Sequence, residues 1–62
     1  MKVFWYGDKV KHIDQEIWGI VLRQHNSEVV IQDMESEFES PDDELVFRSR
    51  ELCSIDKFPW ED

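Results

Sequence analysis

The chain has 62 residues with 15 acidic side chains against 7 Lys+Arg, a formal charge of −8 at neutral pH, which fits one small acidic domain. So short a chain hides only about 60% of the surface its unfolded form exposes, and a deep enzyme cleft would consume its core. The charge disfavours nucleic acid and anionic membranes, whose binding rests on clustered cations, and favours a larger protein with a basic surface.

One cysteine, Cys53, excludes an intramolecular disulfide, and the first residues have neither the cationic stretch nor the apolar run of a secretory signal. The longest apolar run, residues 17–22, is six residues against the roughly 20 that cross a bilayer. The expectation is a soluble, cytoplasmic protein. With 40% apolar and 13% aromatic residues, the chain has enough to bury for a compact fold despite its charge.

There is no Ala and no Thr, while Val and Ile number eleven, a balance that favours strands over helices. Residues 2–6 are apolar and aromatic, Gly7-Asp8 is a break, and residues 9–13 alternate as a half-buried strand does. Lys9 and Lys11 thereby share one strand face. Residues 14–16 read as a polar loop. A second strand follows over 17–23, with Gly19 a bulge or a point of close packing. Residues 24–27 are a polar turn and 28–32 a third strand, so 17–33 reads as a hairpin.

Between residues 33 and 44 stand seven acids and no base: Asp33, Glu35, Glu37, Glu39, Asp42, Asp43 and Glu44. A fourth strand covers 45–48, a single helical turn 49–52, and a short closing strand 53–55. Five short strands predict an all-β domain closed into a small barrel, which removes exposed edges. Residues 56–62 are a terminal extension containing Phe58-Pro59-Trp60, expected to cover the amino-terminal aromatics and enlarge the core.

Gly7-Asp8-Lys9-Val10-Lys11-His12, Trp18-Gly19-Ile20-Val21, Glu28-Val29-Val30-Ile31, and Phe47 followed by Glu51-Leu52-Cys53-Ser54-Ile55 together resemble the SH3-like small barrels of the Tudor and KOW type, over about residues 7–55. The resemblance implies a five-stranded barrel with one short helical turn before the last strand. It implies a core of Val10, Val21, Val29, Ile31, Phe47, Leu52 and Ile55. It also implies a non-catalytic role, since bacterial members serve as docking modules in transcription, repair or translation, and eukaryotic Tudor domains read methylated Lys or Arg. A stand-alone acidic version points to an accessory regulator, phage- or plasmid-borne, with a protein partner.

In an extended conformation Asp33, Glu35, Glu37 and Glu39 project from one face roughly 6–7 Å apart, a spacing like that of successive phosphates. The row either mimics a phosphate backbone in a basic groove or solvates an edge strand and blocks aggregation. An EF-hand reading, with Asp33 first and Glu44 twelfth, fails because Phe38 stands where the loop needs Gly and the flanks read as strands. No metal is expected, since His12, His25 and Cys53 lack paired zinc spacings. No cofactor is expected either. Cys53 reads as a small core residue and His12 as a polar group at a strand end.

Three consecutive aromatics, Phe4, Trp5 and Tyr6, cannot all face one core, and an exposed Trp or Tyr beside acids can be a binding hot spot or an ammonium cage. The leading expectation is therefore a non-catalytic protein-binding regulator or inhibitor. It would dock through Asp33, Glu35, Glu37, Glu39, Asp42, Asp43 and Glu44, with Trp5 or Trp18 as the buried anchor. The alternative is a small nucleic-acid-binding module using Lys9, Lys11, Arg48 and Arg50.

Overall fold

Alternate residues of Lys9–His12 are buried, Val10 and His12 facing in while Lys9 and Lys11 face out, as a strand with one face on a core requires. The same logic runs through the chain in the computed structural model, which describes residues 2–34 and 44–61. They form an all-β fold: β1 (Lys9–His12), β2 (Trp18–His25), β3 (Glu28–Asp33), β4 (Glu44–Arg48), a 3-10 turn over Ser49–Glu51, and β5 (Leu52–Ser54). The strands make one antiparallel sheet in the order β4-β3-β2-β1-β5. Glu35, Glu37, Glu39, Asp42 and Asp43, expected to belong to the acidic docking row, lie outside the described residues.

The inner face packs Phe4, Val10, Val21, Val29, Ile31 and Leu52 together, with Ile17, Leu45 and Phe47 half-buried against them. Each fully buried aliphatic contributes about 1.5–3 kcal/mol. Two expected core members are less buried than the resemblance implies: Phe47 lies at the margin and Ile55 is only half-buried. Phe4, arriving from ahead of β1, is an unforeseen member of the core. Phe47 on β4 also meets His12 on β1, ring centroids 4.9 Å apart. A flat sheet would hold those strands three spacings, or about 14 Å, apart, so the sheet is strongly coiled.

Gly19 is a close-packing point: a Cβ there would fall 2.6 Å from the Gln32 carbonyl oxygen and 2.8 Å from Ile31 Cδ1. The bulge sits elsewhere, at Leu22, where the register slips between Val21↔Ile31 and Arg23↔Val30. The polar turn is also shorter than expected. Gln24 and His25 continue β2, and Asn26-Ser27 alone connects it to β3, with Asn26 at φ 56, a left-handed conformation that Asn tolerates well.

Candidate functional site

Residues 5–8 form a turn fixed on every side. The Asp8 N–H donates to the Trp5 carbonyl at 3.0 Å, and Gly7 holds φ 90, the conformation a type II turn demands of its third residue. The Asp8 carboxylate accepts from the Trp5 N–H at 2.9 Å. Gly7 N–H donates to Val21 O and Val21 N–H to Asp8 O, both at 2.9 Å, which ties the turn to β2. One residue earlier, the Phe4 N–H donates to Gln24 Oε1 at 2.8 Å, and the same amide donates to Lys2 O and Asn26 O.

With Phe4 drawn into the core, its neighbours have no inward room. Trp5 is 73% exposed and Tyr6 81%. Beside them a groove of about 400 Å³ runs between residues 3–6 and residues 22–24 with Asn26. Arg23 forms part of its wall and lies 3.3 Å from the Glu44 carboxylate. Such an exposed pair adds little stability, but it sets one end of the acidic stretch beside the aromatic turn. At the other end Asp33 closes β3, half-buried and opposite Gly19. Tyr6 fits the expectation that the run of three aromatics leaves a Trp or Tyr in solvent, whereas nothing local signals Arg23 as part of this groove.

Trp18 is not an exposed anchor. It faces outward opposite Lys11, is half-buried, and meets Trp60 edge-on at 5.9 Å. Residues 58–61 therefore pack on the outer face of β1 and β2 and leave Trp5 and Tyr6 uncovered, contrary to the expectation that they cover the amino-terminal aromatics. Glu61, held by Lys9 and then by the Phe58 N–H, keeps its carboxyl below the ordinary value of 4.5.

The four basic candidates do not gather. Lys9 Nζ is engaged by Glu61, and Lys11 Nζ donates to His12 O and Gln15 O while lying 5.6 Å from the Trp18 ring. Arg48 ends β4 opposite Glu28, and Arg50 is exposed in the 3-10 turn. Because the inner residues of β1 and β4 converge at His12 and Phe47, their outer neighbours Lys11 and Arg48 diverge.

His12 ends β1, the strand-end polar group the sequence leads one to expect, and is 3% exposed and fully engaged. Its Nδ1 accepts from the Asp14 N–H at 3.0 Å and its Nε2 lies 3.1 Å from Glu51 Oε2, which defines the Nε2–H tautomer. Cys53 stands opposite Lys11 of the outward set, half-buried, with Sγ 3.5 Å from Lys11 O. It is thus not a core residue, and the two side chains point to opposite faces. Among the described residues no three His, Cys, Asp or Glu side chains gather as a metal site, and no helix is long and apolar enough to cross a membrane. No family model, curated protein or solved structure matches the chain.

Proposed function

We propose that the chain is a non-catalytic protein-binding module of the SH3-like barrel class, acting as a small regulator or inhibitor of a larger protein with a basic surface. The observation that carries the reading is the braced turn that holds Trp5 and Tyr6 in solvent. Large aromatics with few rotatable bonds, already fixed in place, lose little entropy on docking and are enriched among binding hot spots. The formal charge of −8 supplies steering toward a basic partner, and its effect fades with salt. The 3-10 turn joining β4 to β5 and the approach of Phe47 to His12 support the barrel assignment.

The test is affinity capture from host lysate on two columns, one carrying the native chain and one Trp5→Ala/Tyr6→Ala. The expected result is a protein with a basic surface held by the first column, released by raised salt and absent from the second. Identical retention on both columns overturns the reading, as does tight binding of random duplex at low salt.

A further inference from the structure

The outer face of β1 and β2 already has an occupant, supplied by the chain itself. Residues 58–61 close a turn in which the Glu61 N–H donates to Phe58 O at 3.0 Å, with Pro59 at the position its fixed φ suits. The Phe58 N–H donates back to Glu61 Oε2 at 2.8 Å. This doubly closed turn sits on the sheet through an ion pair and three aromatic rings. Lys9 Nζ donates to both Glu61 oxygens, at 3.0 and 2.8 Å, and lies 5.4 Å from the Phe58 centroid. Trp60 stacks on Phe58 at 4.9 Å and meets Trp18 edge-on.

Phe58 is 3% exposed yet lies outside the inner cluster, so it fills a second apolar site on the other side of the sheet. We propose that this face is a docking site for a turn of aromatic–proline–aromatic–acid chemistry carried by a partner protein. Residues 58–61 occupy it in cis as a displaceable internal ligand.

Charge selects the ligand's acid. On a domain of net −8, Lys9 places an ammonium group on this strand face, and the Glu61 carboxylate seated on it shows the charge it selects. The turn is closed by its own hydrogen bonds, so little ordering remains to be lost on binding. The main hold is the burial of Phe58, which the aromatic of an incoming turn would replace in kind. The rest is modest, since Trp60 is half-exposed and a partly exposed ion pair contributes little. A tethered segment at an effective concentration on the order of 1 mM closes a weak site, and a tighter partner competes it away. An oligonucleotide also offers anions and stacking faces, but the overall charge and the divergence of Arg48 favour a protein segment.

The test titrates an acetylated peptide of residues 56–62 into two full-length chains, native and Glu61→Lys, with the Trp18 indole resonance as readout. The peptide is expected to shift that resonance in the variant and to bind the native chain about tenfold more weakly, since there the tethered segment competes. A peptide carrying Glu61→Gln is expected to bind the variant more weakly than the parent peptide. Absence of a shift in the variant, equal affinity for both chains, or oligothymidylate shifting the same resonance at lower concentration than the peptide would overturn the proposal. Should Glu61→Lys lose amide dispersion, full-length Trp60→Ala takes its place with the same outcomes.

Discussion

Phe47 and His12 meet edge to face, centroids 4.9 Å apart at 70°, although β3 and β2 separate their strands in the sheet. The contact spans the coiled sheet at the point where β1, β4 and the 3-10 turn converge, since His12 also reaches Glu51. Phe47→Ala should therefore cost more than its partial burial alone suggests, about 2–3 kcal/mol by urea denaturation, below the range for fully buried Phe. In a double-mutant cycle with His12→Ala, a coupling of about 1 kcal/mol is expected. Additive losses would mean that the rings merely adjoin.

The two glycines fail for opposite reasons. At Gly19 a methyl group meets the Gln32 carbonyl oxygen at 2.6 Å, and backbone in a paired strand cannot rotate away. Gly19→Ala should therefore cost about 2–3 kcal/mol through displacement of β2 from β3. At Gly7 nothing lies within 4 Å, and the cost comes from φ 90 alone, about 1–2 kcal/mol for Ala. Thermal melts should rank Gly19→Ala as the less stable. Only Gly7→Ala should also alter the Trp5 indole environment, because it sits in that residue's turn.

The strands were legible where burial imposes a period of two: Val10 with His12, and Val29 with Ile31, mark their inner faces in the sequence itself. Gly19 was legible as a special point of the strand, a bulge or a close approach, but only the Gln32 carbonyl beside it decides for the close approach. The bulge at Leu22 was not legible, since the side chain there is an ordinary strand residue and the slip belongs to the backbone register. What Trp18 and His12 pack against was not legible, for a shared reason. Their partners, Trp60 and Glu51, come from 42 and 39 positions away, and pairings at that range leave no local trace. The candidate site was half legible: three adjacent aromatics announce that something must face solvent, but only Phe4 packing inward decides that it is Trp5 and Tyr6.

The seat of residues 58–61 should depend on pH with a definite sign. Lys9 foremost, and then the Phe58 N–H, holds the Glu61 carboxyl below 4.5. A depressed carboxylate contributes stability that is fully present above the unfolded value and is lost as pH falls through the folded one. The turn should stay seated from neutrality down to about pH 4.5 and loosen only below that. Trp18 and Trp60 side-chain shifts followed by NMR across pH 7 to 2 should stay flat and then move together. Lys9→Met should reduce the downward displacement of the Glu61 titration, leaving the part due to the Phe58 N–H, and an unchanged titration would show that Lys9 is not its main cause.

Trp5 and Tyr6 separate binding from stability most cleanly. Their side chains stand in solvent, and the hydrogen bonds that build their turn run through backbone atoms and the Asp8 carboxylate, which survive truncation of either ring. Trp5→Ala and Tyr6→Ala should each leave the unfolding free energy within about 0.5 kcal/mol of the native chain, as for other surface changes. If the turn is the anchor of a protein contact, the same changes should weaken partner binding by 2 kcal/mol or more, about thirtyfold. Asp8→Ala makes the decisive comparison. It keeps both rings but removes the carboxylate that orders the Trp5 N–H, so it should weaken binding by loss of preorganisation. Calorimetry against the captured partner distinguishes the cases: a loss with Asp8→Ala that appears mainly as a less favourable entropy identifies rigidity as what the turn contributes. Full affinity in Asp8→Ala would show instead that the two rings suffice without the brace.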